Sequence, residues 1–114
     1  MNDFVYLYRG GNSTGTPEQM QKQMERWGTW LKELGAKGHL KDMGHPLEAG
    51  GTIVKGKAKG AVTDGPFAEA KDLIGGYSLV QATDLAQAAE LSKGCPIFEV
   101  GGVVEVRPIM KMNM

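Results

Sequence analysis

Thr16-Pro17-Glu18-Gln19-Met20-Gln21-Lys22-Gln23-Met24-Glu25-Arg26-Trp27-Gly28-Thr29-Trp30-Leu31-Lys32-Glu33-Leu34-Gly35 is the stretch that decides the fold. Thr16 carries the hydroxyl of a helix N-cap. Pro17 sits where a missing N–H does no harm, and Gln19 stands where a capping box needs it. Met20, Met24, Trp27, Leu31 and Leu34 then recur at steps of four, three, four and three, the spacing of one apolar stripe on a helix. Gly35 is the expected stop, in the left-handed conformation. Such a helix, roughly 27 Å long at the usual rise, needs an apolar surface to lie on, and the flanking segments read as strands.

Upstream, Asp3 to Arg9 alternates Phe4, Tyr6 and Tyr8 on one face with Val5 and Leu7 on the other. Apolar residues on both sides predict a strand covered on both faces, or one with a partner subunit against it. Downstream, Gly38 to Met43 reads as a weaker strand. Thr52 to Lys55 is expected to pair with Lys59 to Thr63 across a Gly-Lys-Ala-Lys turn region. Gly76 to Ala82 forms another alternating strand. A second helix begins near Thr83 or Asp84, with Gln87 placed to assist its cap, and ends at Gly94 before Pro96. Val103 to Ile109 is the last strand. This order predicts an α+β, ferredoxin-like βαββαβ unit with an inserted hairpin. Two helices cover only one sheet face, so the other needs a lid. Phe4, Tyr6 or Tyr8 are candidates to point towards it, and a homodimer stacking two sheets would supply it.

The totals fit one domain spanning 1–114, since 114 residues are enough chain for one modest core. Thirteen basic residues balance thirteen acidic ones. No basic run exceeds a pair, so a nucleic-acid footprint is not expected. Lys55, Lys57 and Lys59 suit the solvated edge of a hairpin. The single cysteine excludes an internal disulfide and fits a reducing compartment. No apolar run is long enough to span a membrane, and no charged segment followed by an apolar run opens the sequence. The cytoplasm is therefore the expected location, with no membrane association. Seventeen glycines are scattered through loops without a period.

The segment Val62-Thr63-Asp64-Gly65-Pro66-Phe67-Ala68-Glu69-Ala70-Lys71, followed by Gly75-Gly76-Tyr77, is unlike any buried regular element. Pro66 fixes φ and pushes Gly65 out of the α region, and Asp64 can close a turn with its own carboxylate. Preorganised polar loops between strands are where binding and catalytic groups tend to sit. Asp64 is a candidate general base or acceptor for a substrate proton; the structural alternative is that it satisfies the N–H groups of its own turn. Phe67 is the expected anchor of the loop.

His39 and His45 alternate with Asp42 and Glu48 at intervals of three. Strand geometry sends such positions to opposite faces, and Gly44 and Pro46 interrupt a helix, so no metal is expected. His45 is the better candidate for proton transfer, because imidazole is the side chain suited to it near neutral pH. Tyr77 can aim a phenol into a pocket or serve as core with a wet hydroxyl. Arg107, which alternates with Glu105 on the last strand, can bind an anion or take part in a cross-strand ion pair. Cys95 follows a helix end and reads as buried filler. Gly75-Gly76 and Gly101-Gly102 lack the strand–glycine–helix context of a dinucleotide site, and no cofactor is expected.

Asp64-Gly65-Pro66-Phe67-Ala68-Glu69-Ala70-Lys71, Ile74-Gly75-Gly76-Tyr77, Gly94-Cys95-Pro96 and Val104-Glu105-Val106-Arg107-Pro108-Ile109, in this order, resemble the YCII-related, DGPF-motif proteins of bacteria. Trp27, Trp30 and Gly44-His45-Pro46-Leu47 also fit. The resemblance implies a dimeric α+β barrel of two ferredoxin-like protomers packed sheet to sheet. It further implies an enzyme in some branches and an association with sigma factors in others. One branch carries a histidine on its first helix and an aspartate in an Asp-Pro-aromatic step after its second. Here the first helix has no histidine and the late step reads Gly94-Cys95-Pro96.

Two functions fit these residues. One is an enzyme or small-molecule binder whose pocket is walled by Gly65, Pro66 and Phe67. In that reading Asp64 and His45 carry cofactor-independent acid/base chemistry, and Tyr77 and Arg107 contact the ligand. The other is a non-enzymatic dimer that binds a protein in transcriptional control.

Overall fold

The computed structural model describes residues 1–11, 15–55, 61–65 and 72–112, with 55 and 61–65 described by their backbone. Its elements are β1 (Asn2–Gly10), α1 (Pro17–Ala36), β2 (Leu40–Asp42), β3 (Gly51–Lys55), β4 (Ala61–Gly65), β5 (Ile74–Ala82), α2 (Leu85–Ser92), a 3-10 helix (Pro96–Val100) and β6 (Gly102–Pro108). Four strands form one sheet in the order β2-β5-β1-β6, with β1 antiparallel to both neighbours and β2 antiparallel to β5. This is the α+β, ferredoxin-like arrangement. Strands β3 and β4 make a separate antiparallel ladder, with Thr52 opposite Asp64 and Lys55 opposite Ala61. The second strand was expected over Lys59 to Thr63; β4 continues to Gly65, and Lys59 and Gly60 lie outside the described residues. The turn expected between the two strands, residues 56–60, lies outside the described residues.

The start of α1 follows the sequence closely. Thr16 Oγ1 accepts from Gln19 N at 3.1 Å while Gln19 Oε1 accepts from Thr16 N at 2.9 Å, a complete capping box. Its end differs from expectation. Gly35 remains helical, and Gly38 takes the left-handed conformation with φ 78°. His39 N donates to Leu34 O at 2.9 Å and Gly38 N to Gly35 O at 3.1 Å, the paired bonds of a Schellman stop. The helix therefore runs past Gly35 by the length of this closing turn.

The buried face of α1 also differs. Trp30 and Leu34 are buried and Trp27 and Leu31 pack partly against the core, but Met20 is 48% exposed and Met24 73%. Trp30 lay outside the expected stripe, and it is the residue that fixes the helix on the sheet. Its ring stacks on Tyr6 with centroids 6.0 Å apart, and its Nε1 donates to Leu91 O at 3.3 Å. Tyr8 meets Trp27 edge-on at 4.7 Å.

Phe4, Tyr6 and Tyr8 thus face the helices and not the open side of the sheet, correcting the suggestion that they point to a lid. The physical reason is size: the strand turns its large aromatic rings, each with roughly 150–250 Å² to bury, towards the layer able to cover them. Val5 and Leu7 take the other face, opposite Leu79 and Tyr77 on β5 and Arg107 and Glu105 on β6. They are half-buried, and Arg9 spans the same face to Glu105 at 2.7 Å and Asp72 at 3.0 Å.

Helix α2 is capped by Asp84, whose Oδ1 accepts from Gln87 N at 2.8 Å, while Gln87 Oε1 accepts from Thr83 N at 2.7 Å. Ala88 is fully buried on it, and the Tyr6 hydroxyl donates to the Ala88 carbonyl. Cys95 lies beside this contact, as buried as expected of filler. Burial pushes its thiol from the ordinary 9.0 to about 12, and pushes the Tyr6 phenol from 10.0 to about 12. Among the described residues no helix is long and apolar enough to cross a membrane.

Groups held neutral by burial bind more protons folded than unfolded once pH passes their ordinary values, so stability must fall as pH rises. The thermal midpoint is expected to be insensitive to Cys95 and Tyr6 below about pH 9 and to decline between about pH 9 and 12. Alkylation of Cys95 by iodoacetamide at pH 8 should require denaturant. Rapid native-state labelling would contradict the burial described here.

Candidate functional site

The site begins where α1 hands over to the sheet edge. After β2, Asp42 Oδ1 accepts from Gly44 N at 2.8 Å, closing a tight turn. Gly44 has φ 71°, and a Cβ there would stand 1.8 Å from the Tyr77 carbonyl oxygen. Only glycine allows the chain so close to β5. The next residues follow the edge of that strand: Tyr77 N donates to His45 O at 3.3 Å, Pro46 bridges to Gly76, and Leu47 N donates to Gly75 O at 2.8 Å. His45 is thereby held against Tyr77, ring centroids 6.2 Å apart and edge-to-face, with its imidazole exposed.

Behind His45 lies a cavity of about 600 Å³ between α1, β1, β5 and the segment around Gly44. Trp27, Leu31 and Met24 form its helical wall, and Tyr8, Ser78 and Gly76 its sheet wall. A polar chain crosses it: Tyr8 Oη lies 2.8 Å from Ser78 Oγ, which lies 2.7 Å from Met43 O. A carbonyl only accepts, so the single Ser78 proton goes to Met43 and the Tyr8 proton goes to Ser78. Burial holds the Tyr8 hydroxyl well above its ordinary range; the bond with Ser78 offsets this in part, and the nearby Cys95 and Tyr6 add to it. Tyr8 therefore stays neutral and works as a hydrogen-bonding group.

Gly28 shows how the helix accommodates the cavity. It sits in the interior of α1 and lines the cavity, and a Cβ built on it meets nothing within 4 Å. Packing thus gives no reason for glycine at a position where it weakens a helix. What the missing side chain leaves is room.

Of the residues singled out in the sequence, His45 and Tyr77 come together where the edge segment borders this cavity, the Tyr77 side chain lying on the Val5–Leu7 face of the sheet. Arg107 does not. It sits on β6 opposite Val5, 67% exposed, and its Nε reaches Glu105 Oε2 only at 4.0 Å. Glu105 makes its closer ion pair across the strands with Arg9. His39 turns its Nδ1 to the Gln81 carbonyl at 2.9 Å, and Asp42 is engaged by Gly44. Among the described residues no three His, Cys, Asp or Glu side chains gather as metal ligands would. Asp64 lies on β4 opposite Thr52, and Gly65 opposite Gly51. The Asp64 side chain, Pro66 and Phe67 lie outside the described residues. Sequence reasoning missed Tyr8, Ser78, Trp27 and Gly28 as site residues. A glycine unexplained in the middle of an amphipathic helix was the one local signal available.

A family model described as the YCII-related domain matches residues 1–113. The chain belongs to the YCII-related family. No curated protein matches it. Among solved structures it is similar to the 5-chloro-2-hydroxyhydroquinone dehydrochlorinase (TftG) of Burkholderia phenoliruptrix AC1100, in complex with 2,5-dihydroxybenzoquinone. Identity is 16% over 97% of this chain and 95% of that one, with a TM-score of 0.47. A likeness this distant says nothing about the chemistry of this YCII-related chain.

Two glycine substitutions check the site geometry with opposite signs. Gly28→Ala is expected to stabilise the protein by about 0.5–1 kcal/mol, because the methyl group enters open space and improves helix propensity. Gly44→Ala should destabilise it by more than about 1 kcal/mol, through both the positive φ and the Tyr77 carbonyl. Urea titration of the two variants measures both.

Proposed function

We propose that this YCII-related protein binds a small molecule in the cavity between α1 and the sheet, and that it is an enzyme working by cofactor-independent acid/base chemistry. The observation that carries the reading is an apolar, aromatic-walled cavity of about 600 Å³ with an exposed histidine at its rim. Pockets of this size, mostly apolar with a few convergent polar groups, are the usual small-ligand design. His45 is the proton-transfer group, since it borders the cavity and imidazole is the side chain suited to proton transfer. Tyr77 sets its orientation by the ring contact described above.

In the same reading Asp64 shares the proton transfer, and Gly65, Pro66 and Phe67 form a further wall of the pocket. What supports this is the sequence: a stiff Gly-Pro step beside a carboxylate, at the end of a strand. Arg107 belongs to the ligand contacts only if a second copy brings it near. We also propose a homodimer, supported by the half-buried Val5, Leu7 and Leu79 on a sheet face that carries no helix among the described residues. The cytoplasm is the proposed location.

The cavity is tested by filling it. Gly28→Leu starts a side chain where a Cβ meets nothing within 4 Å, and should leave the fold intact. Ligands found by thermal shift of the wild type in a metabolite screen are expected to shift the wild type and not this variant. His45→Gln should retain those ligands while losing turnover. Hits that stabilise Gly28→Leu as strongly as the wild type would place the ligand elsewhere. The dimer is checked by light scattering at micromolar concentration, where a monomer mass would contradict it.

A further inference from the structure

The proton directions in the cavity constrain what it can hold. The proton of Ser78 is committed to the Met43 carbonyl, and the proton of Tyr8 is committed to Ser78. What this chain of bonds still offers is a lone pair on the Tyr8 oxygen, so it can receive a hydrogen bond and has none to give. No lysine, arginine, aspartate or glutamate lines the cavity among the described residues. Apart from His45 at the rim, an anionic ligand would find no charged partner there, and the Tyr8–Ser78 pair has no proton to give it. A buried polar group without a partner is strongly disfavoured, and a buried charge far more so.

Trp27 and Tyr8, perpendicular and 4.7 Å apart, supply a ring face and a ring edge. Gly28 leaves the helical wall without a side chain beside these rings, and a Cβ built there meets nothing within 4 Å. At Gly76 a Cβ would come within 3.1 Å of the His45 carbonyl and 3.7 Å of Tyr8, so on that side the edge segment packs directly on the strand.

We infer that the cavity selects an uncharged, planar, largely apolar molecule carrying a hydroxyl or N–H group, which donates its hydrogen bond to the Tyr8 oxygen. This rests on the cavity being the ligand site. It places the polar end of the ligand at Tyr8 and Ser78. Neutral hydroxyarenes and indole-like rings fit; carboxylates, phosphates and ethers of the same shape do not.

Three probes of matched ring size separate these chemistries: 2-naphthol, 2-methoxynaphthalene and 2-naphthoate, titrated at pH 7 by calorimetry. The full-length protein is expected to bind 2-naphthol about tenfold more tightly than the ether, the worth of one hydrogen bond, and more tightly still than the carboxylate. Tyr8→Phe removes the acceptor and should erase the preference for naphthol over the ether. Ser78→Ala, a second variant that retains the Tyr8 ring, frees the phenol proton to donate and should narrow the same preference by raising affinity for the ether. The inference is overturned if the carboxylate binds as tightly as naphthol, if the ether does, or if the preference survives both variants. In each of those results the cavity remains the site and only the ligand class is wrong. If none of the three probes binds, the cavity reading falls, and the ligand class with it.

Discussion

The stack of Trp30 on Tyr6 is the contact on which the rest of the molecule depends. It joins the long helix to the central strand of the sheet, and each ring then secures a backbone carbonyl of α2 or its end: the Tyr6 hydroxyl at Ala88 and the Trp30 indole at Leu91. Three elements therefore share one aromatic joint. Replacing a buried aromatic by alanine typically removes about 3–5 kcal/mol, a large part of the stability of a small domain. The surface pairs Arg26–Glu99 and Lys93–Glu90 are each worth about 0–1 kcal/mol at best, given their exposure. The joint outweighs the ion pairs.

That joint also explains why there is a cavity. Trp30 and Leu34 pin the C-terminal half of α1 to the sheet, while the N-terminal half carries exposed Met20 and Met24. The gap between helix and sheet opens on the side of Trp27 and Gly28, and the edge segment around Gly44 and His45 borders it. One element held tightly at one end and loosely at the other provides a pocket without a cavity in the core itself. Site and stability are thus separated along a single helix.

Much of the fold was legible because local rules and tertiary packing agree. The capping box at Thr16 and the Asp84 cap needed no context beyond a few residues. The alternation along β1 predicted a strand but did not choose its face, since both sides are apolar; the ring sizes of Phe4, Tyr6 and Tyr8 chose it. The end of α1 was misplaced because Gly35 and Gly38 are equally able to stop a helix, and the deciding bond to Leu34 O comes from His39. The apolar stripe was right at Trp27, Leu31 and Leu34, but it ran on to the exposed Met20 and Met24 and left out Trp30, because periodicity alone does not weigh a tryptophan against a methionine. His45 and Tyr77 stood out as residue types. Tyr8, Ser78 and Gly28 did not, because they belong to three different elements and become a site only when the sheet is assembled.

Met24 and Met43 lie on the border of the cavity, 73% and 59% exposed. A thioether so open to solvent is a target for peroxide, which converts it into a polar sulfoxide. Modification at either position would put a strong hydrogen-bond acceptor at the entrance of an apolar chamber, with no change to the residues inside. The Met43 carbonyl, which already holds the Ser78 proton, belongs to the same residue. An oxidant acting at these two methionines therefore changes the polarity of the entrance and not the aromatic joint that holds the fold.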